Sequence, residues 1–87
     1  MTNLVDLITK GLLKPDDSLV WRRRDLKKGH KASINGEGKI VTEDGLAHRT
    51  PSGAARHLNN GKPIDGWNVW RLEVSNRSLA DLRSELG

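Results

Sequence analysis

The spacing of apolar residues predicts a short helix near the N-terminus. Leu4, Leu7 and Ile8 recur at the i, i+3, i+4 spacing of one helical face, which predicts a helix over residues 3–10. Gly11 suits the left-handed residue that commonly follows a helix. The chain is therefore expected to leave this helix in a turn.

Alternation of apolar and polar residues predicts a set of short strands. In the first of them, Leu19 and Trp21 share one face, while Arg22 and Arg24 share the other. Turn sequences rich in Asn, Asp and Gly separate the early strands from one another. The predicted strands cover residues 19–24, 31–34, 39–42, 46–49 and 67–74.

Two further helices are predicted from their N-terminal caps. Thr50 followed by Pro51 combines a capping hydroxyl with a proline at the first helical position. Ser78, with Asp81 three residues later, resembles a capping box. The elements together predict an α+β fold, a small antiparallel β-sheet of about four to five strands with short helices packed on it.

Composition narrows the class of protein. The 87 residues are enough for one domain and too few for two independent cores. The lack of cysteine excludes a disulfide scaffold and a thiolate zinc site, and is typical of a reducing cytoplasm. No apolar run approaches the length of a membrane span. The three histidines lack metal-ligand spacing and no catalytic motif is present, so we expect no metal, no cofactor and no enzymatic activity.

Positive charge is concentrated in one part of the chain. The 15 Lys and Arg residues exceed the 11 Asp and Glu residues, for a net charge of +4. Six of those 15 basic residues lie between Trp21 and Lys31, opposed within that window only by Asp25. Such a window attracts phosphates if its side chains share one surface, and is otherwise a solvated loop.

Four short motifs, in order, resemble the RAMA family, a small module attached to restriction enzymes and adenine methyltransferases. The segment 11–19 (GLLKPDDSL) resembles the family's G-L-L-x-P-G-x-x-L, and a D-G turn follows at 44–45. The segment 50–55 (TPSGAA) resembles S-P-S-x-A-A, and 65–70 (DGWNVW) resembles N-G-W-x-x-W. The resemblance covers residues 4–74, so we predict a RAMA-like domain over 1–75 and a C-terminal helical extension over 76–87.

The resemblance implies a non-enzymatic module that binds double-stranded DNA and is linked to restriction-modification or DNA regulation. It also implies sensitivity to adenine methylation, and a cytoplasmic, nucleoid-associated location follows. Two departures bear on binding: Thr50 replaces the family's first serine but keeps a hydroxyl, whereas Asp65 replaces an asparagine and adds negative charge.

The candidate DNA-binding residues lie in three parts of the sequence: the basic window, the surroundings of the predicted helix start at Thr50, and the Gly-Trp motif. Basic side chains of the 21–31 window would bind phosphates, as would the hydroxyls and free backbone N–H groups at the Thr50–Ser52 helix start. His48 and His57, on either side of that start, would add pH-dependent phosphate contacts. An asparagine amide after the Gly-Trp pair would pair with an adenine edge. The predicted DNA-binding residues are Arg22, Arg24, Lys27, Lys28, Lys31, Arg49, Thr50, Ser52, Trp67 and Asn68.

The two tryptophans of the last predicted strand have different expected roles. On a strand Trp70 shares a face with Leu72 and Val74 and is assigned to the core, whereas Trp67 lies on the opposite face. Trp67 either stacks on DNA or packs against a helix with its indole N–H bonded to a carbonyl.

A protein-interaction module is the alternative function. In that case the final helix docks on a methyltransferase or restriction partner through its apolar edge, and the positive charge serves solubility. The residues of that edge are Leu79, Leu82 and Leu86.

Overall fold

The computed structural model describes residues 4–23 and 28–86, and of Lys28 only the backbone. Within these residues five strands form one antiparallel sheet in the order β4-β3-β2-β1-β5, with four short helices. In chain order the elements are α1 (Leu4–Thr9), β1 (Ser18–Arg23), β2 (Lys28–Ile34), β3 (Ile40–Thr42), β4 (Ala47–His48), α2 (Pro51–Leu58), α3 (Gly66–Val69), β5 (Arg71–Leu72) and α4 (Leu79–Ser84). The predicted α+β class is confirmed.

The strand register divides the sheet into two unlike faces. Leu19 lies opposite Ala32 on one side and Leu72 on the other, and Ile34 lies opposite Ile40. All of these residues are buried and belong to one hydrophobic cluster with residues of the helices. The helices therefore cover this face, and the opposite face carries the residues of the other parity.

The local signals at the helix ends act as predicted. Gly11 has a φ of 76° after α1, and Thr50 caps α2 by accepting the Gly53 N–H. Ser78 and Asp81 form the predicted capping box at the start of α4. Because these signals involve residues within a few positions of each other, the sequence alone reveals them.

The final helix contributes to the core. Leu79 is 0% exposed and Leu82 is 2% exposed, and both belong to the hydrophobic cluster, with Leu86 packed against it. The prediction that these residues form an apolar edge for docking on a partner is therefore wrong, because the edge faces the chain's own sheet and helices.

The single strand predicted over residues 67–74 is also wrong. Asp65 accepts the Trp67 N–H at 3.1 Å and begins the helix α3, and only Arg71 and Leu72 pair with β1. Val74, expected on the same strand face as the buried Trp70, is 93% exposed. The alternation of apolar residues here arises from a helical turn followed by a short strand.

Contact between α2 and α3 explains why the chain turns at Gly66. A Cβ atom on Gly66 would lie 2.0 Å from the carbonyl oxygen of Pro51, so no larger residue fits. Trp70, fully buried as predicted, donates its indole N–H to that same Pro51 oxygen at 3.1 Å. Two backbone segments about 15 residues apart are thus held against each other.

Candidate nucleic-acid interface

Three basic side chains occupy the face of the sheet that the helices leave open. Val20 of β1 lies directly opposite Lys31 of β2 and Arg71 of β5, so these residues form one row across three strands. Arg22 lies two residues further along β1 and therefore projects from the same face. We call Arg22, Lys31 and Arg71 the open-face cations.

Val20 shows that this face is separate from the core. It is only 8% exposed, yet it does not belong to the hydrophobic cluster that contains Leu19 and Trp21. Long basic side chains shield apolar neighbours with their aliphatic stems while their charged ends stay in water. The cations that flank Val20 are therefore expected to present their charged groups outward.

Asn76 connects two of the open-face cations. Its side-chain oxygen accepts a hydrogen bond from Arg22 Nη1 at 2.7 Å, and its backbone oxygen accepts one from Arg71 Nη1 at 2.8 Å. The residue has a φ of 60°, a left-handed conformation that asparagine tolerates better than most residues. The turn after β5 thus holds two guanidinium groups beside one another.

Arg22 and Arg71 both line a cavity of about 420 Å³. Its lining is mostly polar and consists of Trp21, Arg22, Asn68, Val69, Arg71 and Asn76. The site combines two residues that the sequence predicts, Arg22 and Asn68, with Arg71 and Asn76, which it does not. Such a lining offers hydrogen-bond donors for anionic and polar groups.

Asn68 is oriented by the aspartate that caps its helix. Its Nδ2 donates to Asp65 Oδ2, while Asp65 Oδ1 accepts the Trp67 N–H. A carboxylate supplies an acceptor oxygen for each of these donors. Asn68 keeps its carbonyl oxygen and a second amide hydrogen for contacts outside the chain.

The start of α2 is the second predicted phosphate site, and it is packed against α3. Thr50 Oγ1 accepts the Gly53 N–H at 2.9 Å, and Ser52 Oγ accepts the Gly66 N–H at 3.1 Å. A Cβ on Gly66 would lie 2.4 Å from the Ser52 nitrogen. Both hydroxyls therefore already accept hydrogen bonds within the chain, and the N–H groups of this turn face α3 or the cap.

A family model described as Restriction Enzyme Adenine Methylase Associated (RAMA) matches residues 1–87, the whole chain. The chain belongs to the RAMA family. Membership associates it with restriction-modification systems and adenine methylases, in agreement with the four motifs. A search of the curated proteins found no match.

The basic window of this RAMA domain does not form one continuous surface in its described part. Arg23, the last residue of β1, lies over the Trp21 ring at 4.7 Å from its centroid and donates to Asn59 Oδ1 at 3.0 Å. It therefore points to the helical side. Arg24 and Lys27, and the side chain of Lys28, lie outside the described residues.

Trp67 of the RAMA Gly-Trp motif has a partner within the chain. The residue lies on α3 and packs against the core, and the Arg83 guanidinium lies 4.5 Å from its ring centroid. This agrees with the helix-packing alternative for Trp67. The indole hydrogen bond expected in that case belongs to Trp70 instead.

A second polar cluster lies beside α2, away from the open face. His57 Nε2 lies 2.5 Å from Asp44 Oδ2, and the rings of His48 and His57 are 5.1 Å apart. Hydrogen bonds from His57, and next from Thr42, hold the pKa of Asp44 well below its usual range. Burial, and next the charge of His57, lower the pKa of His48.

His48 and His57 both make contacts with other residues of the RAMA domain. Among residues 4–23 and 28–86, no group of three or more His, Asp or Glu side chains has an arrangement that holds a metal ion.

Within the same described residues, no helix is long and apolar enough to cross a membrane.

Two residues of this RAMA site, Arg71 and Asn76, are absent from the DNA-binding residues predicted from the sequence, and they differ in whether a sequence pattern could have indicated them. Arg71 alternates with the buried Trp70 and Leu72, which places it opposite the core, but it lies far from the basic window. Asn76 carries no such signal, because its contact with Arg22 joins residues 54 positions apart.

Proposed function

We propose that this RAMA domain is a non-enzymatic module that binds double-stranded DNA through the open face of its sheet. The observation that carries the proposal is the row of Lys31, Val20 and Arg71, with Arg22 next to it. Three cations on one face of a small sheet match the repeating negative charge of a DNA backbone.

The charge balance around the open-face cations supports this function. Among the described residues, Arg22, Lys31 and Arg71 make no side-chain ion pair. Glu43 accepts the backbone N–H of Lys31 at 2.8 Å, and the negative charge of Asp81 acts on Arg71. Cations that are not held in direct ion pairs are available to release counterions from DNA.

Asn68 supports a second part of the proposal, sensitivity to adenine methylation. Its remaining carbonyl oxygen and amide hydrogen can pair with the N6 and N7 atoms of adenine, and it lines the same cavity as Arg22. A methyl group on N6 replaces one of the two hydrogens available there. Binding is therefore expected to differ between methylated and unmethylated duplexes.

The other predicted contacts remain part of the same proposal. Arg49 is exposed, and the hydroxyls of Thr50 and Ser52 keep their O–H donors for a phosphate. They would form a secondary contact, since they line cavities other than that of Arg22. A DNA partner also implies a cytoplasmic, nucleoid-associated location.

The family association makes a methylase or restriction enzyme the second proposed partner. Because Leu79 and Leu82 are buried in the domain itself, such a partner would have to contact another surface. The deletion of residues 76–87 would therefore test folding rather than docking.

Fluorescence anisotropy on a short labelled duplex at three salt concentrations tests the proposal. Three phosphate contacts predict that log K falls with log salt with a slope of about −3. A parallel titration with a duplex that carries N6-methyladenine tests the methylation part. Absence of binding at the lowest salt concentration would contradict the proposed function.

A further inference from the structure

Two guanidinium groups share one anchoring residue on the open face. Arg22 and Arg71 each donate an Nη1 hydrogen bond to an oxygen of Asn76, at 2.7 and 2.8 Å. These contacts use one of the five N–H donors of each guanidinium. The other N–H donors of Arg22 and Arg71 remain available, and the neutral Asn76 holds the two positively charged groups near each other.

The negative charge of Asp81 acts on Arg71, but Asp81 does not pair directly with either guanidinium group. Among the described residues neither arginine has a carboxylate within ion-pair distance. Two like charges that bind the same residue repel each other, even though water screens the interaction. An anion with several oxygens relieves the repulsion and accepts the free N–H donors of both side chains.

We propose that Arg22, Arg71 and Asn76 form a subsite for a phosphate monoester, either the 5′-terminal phosphate of a DNA strand or that of a nucleoside monophosphate. The DNA form of this proposal rests on the proposed function. Arg22 and Arg71 would bind the phosphate oxygens, and Asn76 would act as a positioning residue that keeps the two guanidinium groups converging.

The cavity favours a monoester over an internal phosphate of the backbone. A phosphate monoester carries about −1.5 to −2 charges near neutral pH and has three free oxygens, which match two arginines. An internal diester carries a single charge, has two free oxygens and is flanked by a sugar on each side. The subsite lies in a cavity of about 420 Å³, large enough for a terminal nucleotide.

The first experiment compares two labelled duplexes of identical sequence, one with 5′-phosphates and one with 5′-hydroxyls. The full chain is expected to bind the phosphorylated duplex roughly tenfold more tightly, a difference of about 1.4 kcal/mol. Competition with deoxyadenosine monophosphate, compared with deoxyadenosine, separates a preference for free nucleotides from one for DNA ends.

Two variants and one control test whether Arg71 and Asn76 cause the difference in affinity between the two duplexes. Arg71→Gln removes one guanidinium group, and Asn76→Gly keeps the left-handed backbone but removes the anchoring amide. Both are expected to abolish the difference between the two duplexes. The control Lys10→Gln removes one charge from an exposed residue that lines none of the cavities described, and should preserve the difference.

The outcomes separate this inference from the proposed function. Tighter binding of the phosphorylated duplex that is lost in Arg71→Gln and Asn76→Gly supports the subsite. Equal, salt-dependent binding of both duplexes, together with no competition by the monophosphate, overturns the subsite and leaves DNA binding standing. Absence of binding to either duplex and to the monophosphate overturns both proposals.

Discussion

Asn76 accepts a hydrogen bond from Arg22 across 54 positions of the sequence, at 2.7 Å. The contact joins the turn after β5 to β1, and the Asn76 backbone oxygen accepts a hydrogen bond from Arg71 as well. The positions of the Arg22 and Arg71 guanidinium groups on the open face therefore depend on Asn76, whose side chain is neutral.

Asn76→Asp is expected to change stability and DNA binding in opposite directions. The carboxylate would form ion pairs with Arg22 and Arg71, each worth at most about 1 kcal/mol on an exposed surface. The same carboxylate would cancel part of the positive charge that attracts phosphate, so DNA affinity would fall. Thermal unfolding and anisotropy measure the two effects. A variant with both lower stability and unchanged affinity would show that Asn76 does not organise the two arginines.

Gly66→Ala is expected to destabilise the fold by at least about 1–3 kcal/mol. The new methyl group would lie 2.0 Å from the Pro51 carbonyl oxygen, which is a backbone atom and cannot swing away as the end of a flexible side chain can. Urea unfolding measures the loss. Gly36→Ala is the matched control, because a Cβ on Gly36 meets nothing within 4 Å. Equal stability of the two variants would contradict the close contact between α2 and α3.

Leu82→Ala tests whether the final helix belongs to the core. Leu82 is 2% exposed, and truncation of a buried leucine costs about 2–5 kcal/mol. Val74→Ala removes an apolar side chain that is 93% exposed and should change stability by less than about 0.5 kcal/mol. If Leu82→Ala unfolds at the same urea concentration as the wild type, the helix does not pack as described.

The stability of the domain is expected to fall in acid in two stages. The pKa of His48 is lower in the folded chain than in the unfolded chain. As the pH falls below the usual histidine value of 6.5, His48 is therefore protonated in the unfolded chain before it is protonated in the folded chain, and the folded state loses stability. Asp44 has a strongly lowered pKa, so its contribution is present above the usual value of 3.8 and is lost as the pH falls below it.

Urea midpoints measured from pH 8 to pH 3 test both stages. His48→Gln should flatten the curve between pH 7 and 5, and Asp44→Asn should flatten it below about pH 4. A wild-type midpoint that stays constant from pH 8 to pH 5 would contradict the burial of His48.

The parts of the fold that sequence predicts well are those with local causes. Gly11, Thr50 and Ser78 mark helix ends through hydrogen bonds or backbone conformations within a few residues. The alternation of Leu19 and Trp21 with Arg22 correctly places the arginine on the open face. Each of these features depends on residues that are neighbours in the chain.

The errors come from contacts between distant segments. The strand predicted over 67–74 fails because Gly66 packs on Pro51, a tertiary contact that no local pattern reveals. The sequence does not indicate Arg71 and Asn76 as site residues, because strand pairing brings Arg71 beside β1 and a side-chain hydrogen bond joins Asn76 to Arg22. Strand alternation does not predict the position of Trp67, because this residue lies on the helix α3.

The most direct test of DNA binding by the open face is a comparison of two double variants with equal net charge. Arg22→Ala with Arg71→Ala removes two open-face cations, and Lys10→Ala with Lys62→Ala removes two exposed lysines that line none of the cavities described. Anisotropy on one duplex at three salt concentrations should show a salt slope reduced by about 2 in the first variant only. Identical affinities and slopes for the two double variants would contradict binding through the open face.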